Sequence, residues 1–271
     1  MKTRNFILYL MLLIMGTFSS AYGEKNTNSK IKEETVTYTV GGTVFRGFIA
    51  YDENRKGKRP AVLVVPEWWG LNDYPKMRAR KLAELGYIAL AVDMFGDGKI
   101  AVTPTEAQTY TAPFYSNPQL SKVRLDAAID KIKEYKQTDP ANIFAIGYCF
   151  GGSVVLNSAK LGSNLKGVVS FHGGLKGVPA DKDLLKARIL VCHGASDKFV
   201  PESDVTAFRH QLDSIGAIYT FIAYPNATHA FTNPASTETG RKFNMPIKYN
   251  KQADQDSWND MKKFFASIIL K

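Results

Sequence analysis

Six short, β-rich apolar runs mark out the chain: RPAVLVVP (59–66), YIALAVDM (87–94), NIFAIG (142–147), LKGVVSFHG (165–173), RILVCHG (188–194) and YTFIAYP (219–225). Their apolarity is continuous rather than alternating, which predicts strands covered on both faces. Helix-like segments fall between them at 74–85, 119–137, 151–161, 201–215 and 252–270. Strand alternating with helix predicts an α/β protein with a mostly parallel, doubly wound sheet and right-handed crossovers. Ahead of these runs, ETVTYTVGGTVFRGFIAYDE (34–53) alternates instead, in two halves joined at Gly41 and Gly42. That pattern predicts an N-terminal antiparallel hairpin at one edge of the sheet.

Two connections, 95–118 and 231–251, read as long and irregular, and each follows a strand end on the edge where doubly wound sheets bind ligands. Loops of that length are functional or mobile. Phe95, Tyr110, Phe114 and Tyr115 in the first of them, with His172 at the end of its own strand, are candidate pocket residues. The alternative for the aromatics is that they pin the loop to the body of the protein.

The N-terminus has a different character. Lys2 and Arg4 precede an apolar stretch from Phe6 to Phe18, and small residues follow at Ala21 and Gly23. The pattern is that of a signal peptide over 1–23, cleaved after Gly23, with a polar leader at 24–33 and one domain over 34–271. The apolar stretch falls short of the ~20 residues that span a bilayer, so no permanent membrane anchor is expected. Export places the protein in a periplasm or outside the cell. A chain 45% hydrophobic and 22% charged, without low-complexity tracts, is globular rather than disordered.

The formal net charge of +10 favours anionic surfaces or substrates in general. The lysines and arginines are scattered, however, and the nearest approach to a cluster, NRKGKR (54–59), reads as a solvated loop. With no basic helix face and no recognisable module, nucleic acid is not an expected partner. Of the two cysteines, Cys192 sits inside a predicted buried strand, where a thiol packs as a small hydrophobe. A disulfide with Cys149, and with it a thiol-redox role, is the minority reading.

Cys149 lies in GYCFGG, between a predicted strand and a predicted helix. G-x-C-x-G in that context is the nucleophile-elbow pattern with cysteine in the usual serine place, where a helix N-terminus favours the thiolate. An elbow calls for an acid and then a histidine further along the chain. Asp197, in GASDKFVP, and His229, in ATHAF, each arrive just after a strand on the same sheet edge. The competing reading makes Asp197 a helix cap and His229 a polar loop residue. The remaining histidines, His172, His193 and His210, lack any ligand-like spacing, so no metal is expected. In PEWWG, after the 59–66 run, Trp68 would offer a backbone N–H to an oxyanion and Phe150 a second, with Glu67 at the mouth of the site.

Taken in order, PEWWG, GYCFGG, GASDKFVP, and ATHAF followed by KYN and Trp258 resemble the dienelactone hydrolase family over residues 34–270. The resemblance implies the α/β-hydrolase fold, Cys149 as nucleophile, His229 as base, Asp197 as its orienting acid, and Glu67 as a carboxylate that holds the resting thiol and moves on activation. No cofactor is expected. Family members that hydrolyse dienelactone hold the substrate carboxylate with arginines after the fourth strand and just after the catalytic histidine. This sequence has none at either place, leaving Lys99 and Arg241 as stand-ins. The expected function is a monomeric, exported hydrolase of small carboxylic esters or lactones with good leaving groups. The alternative is a non-catalytic protein that binds a small ligand in the same pocket.

Overall fold

A computed structural model describes residues 29–269 of the chain. The expected signal peptide and the first part of the leader lie outside the described residues. β1 (Ile31–Val40) and β2 (Thr43–Asp52) pair antiparallel from Ile31↔Asp52 to Val40↔Thr43. Gly41 and Gly42, at φ 55° and 82°, supply the two left-handed positions that so tight a hairpin requires. The last three residues of the expected leader therefore belong to β1, because Ile31 and its neighbours find ladder partners in β2.

β3 (Arg59–Val65), β4 (Ile88–Ala91), β5 (Thr138–Tyr148), β6 (Gly167–Phe171), β7 (Arg188–Gly194) and β8 (Tyr219–Tyr224) complete one eight-stranded sheet in the order β1-β2-β4-β3-β5-β6-β7-β8. β1, β2 and β4 pair antiparallel, and every pairing beyond β4 is parallel. Both faces of the sheet are covered. Leu63 and Val65 pack under α3 (Gln119–Lys133), α4 (Phe150–Lys160) and α5 (Glu202–Ser214), through Leu125, Ile129, Val154 and Phe208. Val62 and Val64 point the other way, toward α1 (Asp73–Glu84) and α7 (Lys251–Ile269), through Leu82, Met261 and Phe265. This two-sided burial is the physical reason the strand sequences show no polar alternation.

The two long connections are more ordered than their sequences suggest. The first contains α2 (Pro104–Ser116), started by a capping box in which Thr103 accepts the Glu106 N–H while Glu106 accepts the Thr103 N–H. The second contains α6 (Ser236–Phe243), closed by Asn244 in the left-handed region. After β4 the chain leaves the sheet around Asp93, whose carboxylate accepts the backbone N–H groups of Arg46, Phe95, Gly96 and Gly98.

Candidate active site

The chain after β5 must turn into α4 with almost no room. A Cβ on Gly147 would stand 2.0 Å from the Gly151 carbonyl oxygen, and one on Gly151 would stand 2.4 Å from that of Val65. Only glycine lets the helix start this close to the sheet. Between them Cys149 takes φ 52°, ψ −114°, a conformation that L residues avoid and that costs about 1–3 kcal/mol. Its surroundings hold it there. Its N–H donates to the Phe171 carbonyl at 3.0 Å and to His172 Nδ1 at 3.1 Å, and its carbonyl accepts from Gly152 and Ser153.

His172 is therefore not a pocket residue, as the sequence suggested, but a fully buried support beneath the elbow. Because Nδ1 accepts the Cys149 N–H, Nε2 carries the proton and donates to Thr232 Oγ1 at 2.7 Å. Burial, and after it the neighbouring His229 charge, push its pKa well below the ordinary imidazole value, so the ring is neutral.

His229 sits in the turn after β8, where a parallel bridge to Ile247 and hydrogen bonds between Thr228 and Lys248 stitch its loop to the 245–248 segment. Its Nδ1 lies 2.8 Å from Asp197 Oδ2. The other Asp197 oxygen accepts the Phe199 N–H at 2.8 Å. Asp197 does not cap α5, whose N-cap is Pro201. Burial alone would lower the His229 pKa. The imidazole's interaction with the Cys149 sulfur, and then its hydrogen bond to Asp197, outweigh burial and raise the pKa well above the usual value. Cys149, His229 and Asp197, far apart in sequence, thus meet in one group, with His229 hydrogen-bonded to Asp197 and coupled electrostatically to the Cys149 sulfur.

Glu67 differs from its expected placement. It is 4% exposed, in the wall rather than the mouth of the site, and accepts a 2.6 Å hydrogen bond from Asn233 Nδ2. Burial raises its pKa to about 7, against the opposing pull of Asn233, His229 and Arg78. Glu67 is hydrogen-bonded to Asn233 rather than to the thiol, and it is His229 that the Cys149 sulfur perturbs. Asn233 is a site residue that sequence reasoning missed.

These groups open into a cavity of about 250 Å³. Trp68 and Phe150, the expected oxyanion donors, both line it, and Phe150, as the first residue of α4, has no intrahelical acceptor for its N–H. Of the expected pocket aromatics only Tyr115 lines the cavity. Phe95, Tyr110 and Phe114 instead pin α2 to the elbow: Phe95 packs against Tyr110 at 5.3 Å, and Phe114 against Phe150 at 5.0 Å. Trp69, Phe199, Met245 and Ile247 form the walls that sequence reasoning did not assign. Phe199 was the most accessible of these, two residues after Asp197 in the same strand-end loop.

Cys149 and Cys192 are both free thiols, and Cys192 is fully buried in β7. Among the described residues no group of three His, Cys, Asp or Glu side chains is placed to hold a metal ion, and no helix is long and apolar enough to cross a membrane.

A mostly parallel sheet with a strained strand-to-helix elbow, and a histidine and a carboxylate delivered to it by later strand ends, defines an α/β-hydrolase. The chain belongs to the dienelactone hydrolase family, whose model matches residues 45–269, and it is a hydrolase of that family. It is 33% identical to a solved dienelactone hydrolase-like promiscuous phosphotriesterase from metagenomic libraries, which superposes with a TM-score of 0.83 and covers 88% of this chain and 98% of its own. Protein usf of Aquifex pyrophilus is 27% identical over 87% of this chain and 99% of its own length. A Methylorubrum extorquens protein provisionally named carboxymethylenebutenolidase is 28% identical over 77% of this chain and 72% of its own.

Proposed function

We propose that this protein is an exported, monomeric hydrolase of carboxylic esters or lactones with good leaving groups, acting through Cys149, His229 and Asp197. The observation that carries the reading is the strained Cys149 at the N-terminus of α4, beside a histidine that it perturbs and that Asp197 orients. His229, which its raised pKa makes the holder of the proton it shares with Cys149, keeps that proton as the sulfur attacks the substrate carbonyl. The resulting oxyanion lies against the backbone N–H groups of Trp68 and Phe150. The tetrahedral adduct then expels the leaving group, which receives the proton from His229, and leaves a thioester on Cys149. Water, deprotonated by the same imidazole, attacks the thioester and restores the thiol.

Leaving-group preference follows from the nucleophile. The adduct partitions between expelling sulfur and expelling oxygen, and a thiolate departs more easily than an ordinary alkoxide. Aryl esters, enol lactones and thioesters are the expected substrates, and simple alkyl esters and amides the poor ones. The similarity to a promiscuous phosphotriesterase adds neutral phosphate triesters to the panel worth assaying. Export rests on the Lys2/Arg4, Phe6–Phe18 and Ala21/Gly23 pattern.

A quenched burst with an activated aryl ester, followed by mass spectrometry, tests both parts. The expected result is an acyl adduct on Cys149 that forms and decays, no adduct in Cys149→Ala, and a secreted chain that starts at Glu24. A folded protein with neither adduct nor product across activated esters and lactones would sink the hydrolytic mechanism. A secreted chain retaining residues 1–23 would sink the cleavage assignment.

A further inference from the structure

We propose that the site selects uncharged, apolar esters or lactones and rejects those that carry a carboxylate; the inference rests on the hydrolytic reading above and names its substrate class. The cavity that receives the substrate is walled by Trp68, Trp69, Phe199, Met245 and Ile247. Its lining contains a carboxylate, Glu67, and neither a lysine nor an arginine.

No lysine or arginine on the surrounding segments enters the lining. Arg78 is buried outside the cavity, where it donates to Asp254, the Thr232 carbonyl and Tyr74. Lys99 is half exposed and pairs with Asp97, and Arg241 pairs with Glu238 on the exposed side of α6, so neither stands in for a substrate-binding arginine. Lys176 pairs with Asp204, and Lys198, beside Phe199, is exposed and contributes nothing to the lining. The positive groups that do face the cavity are already committed. His229 lies between Asp197 and Cys149, and the α4 N-terminus addresses the reacting carbonyl.

A second anion brought into this space meets Glu67 with no compensating cation, and juxtaposed like charges in a desolvated pocket discriminate by about 100-fold or more. The rim points the same way. Tyr115 and Phe199 flank the opening and are 61% and 51% exposed, large apolar surfaces left bare at a cavity mouth. The protein's overall positive charge draws anions toward its surface at long range, but the pocket decides at contact.

The test compares two aryl esters of matched shape, p-nitrophenyl butyrate and p-nitrophenyl hemisuccinate, which differ by a methyl against a carboxylate at the end of the acyl chain. The expected kcat/KM at pH 8 favours butyrate by about 100-fold or more. Met245→Lys and Glu67→Gln, made separately, are each expected to raise the hemisuccinate-to-butyrate ratio by about 10-fold. Equal rates on the two esters, a preference for hemisuccinate, or a ratio that neither folded variant moves would overturn the selectivity while leaving the hydrolytic reading in place. Turnover of neither ester by the folded parent protein removes the hydrolytic reading, and this proposal with it.

Discussion

At the scale of single residues the site holds groups in states they would not choose in water. Cys149 is kept at a strained φ by the hydrogen bonds around its own backbone, and Glu67 is kept buried with its pKa raised from 4.5 to about 7. The sign of the second effect is fixed. A carboxyl that holds its proton more tightly when folded costs nothing below its unfolded pKa, and its cost grows as pH rises from about 4.5 to 7 and is complete above that. Glu67→Gln removes the ionisable group and leaves an amide oxygen to accept from Asn233. The variant should therefore gain on the parent as pH rises, with the stability gap widening by about 2–3 kcal/mol between pH 5 and pH 8. Urea denaturation at the two pH values measures this directly. A gap of the same size at both would mean that Glu67 ionises in the native state as it does in solution.

At the scale of elements, the elbow and α2 make a useful contrast. Gly147→Ala would place a methyl 2.0 Å from a backbone oxygen that cannot yield without shifting α4, so a loss of about 3 kcal/mol or more is expected. Thr103→Ala removes only the cap of α2, and about 1 kcal/mol should be lost. Urea midpoints of the two variants rank them, and an elbow variant as stable as the cap variant would show that the turn has slack. The same elements explain what the sequence could convey. Strand positions and the elbow were legible because continuous apolar runs and G-x-C-x-G are local patterns. The order of Asp197 and His229 was legible because single strands separate them. α2 was readable only from its T-x-x-E box, since its apolar positions follow no regular helical repeat and Pro113 lies inside it. The place of His172 under Cys149 depends on β6 lying beside β5, and the bond from Asn233 to Glu67 joins residues 166 positions apart. No local signal encodes contacts of that range.

Across the whole molecule, one buried chain of polar groups ties the far side of the sheet to the elbow. Asp254 on α7 accepts from Arg78 on α1 at 2.5 Å, and Arg78 Nε donates to the Tyr74 hydroxyl. Tyr74 and Thr232 share a 2.6 Å hydrogen bond, and Thr232 accepts from His172, whose other nitrogen accepts the Cys149 N–H. Arg78 is 1% exposed and lies over the rings of Tyr74, Tyr148 and Trp258, so its charge is both buried and enclosed. Removing one member of such a pair strands the other charge. Arg78→Met and Asp254→Leu should each cost about 3–5 kcal/mol, and the double variant should cost less than the sum because neither charge is left behind. A double-mutant cycle by urea denaturation measures that coupling, and simple additivity would show that the pair does not act as a unit. Arg78 also holds the Thr232 carbonyl, three residues beyond His229. The Arg78→Met protein that remains folded should therefore lose part of its kcat while the Cys149 adduct still forms, whereas an unchanged kcat would mean that the elbow and the histidine loop keep their places without the chain behind them.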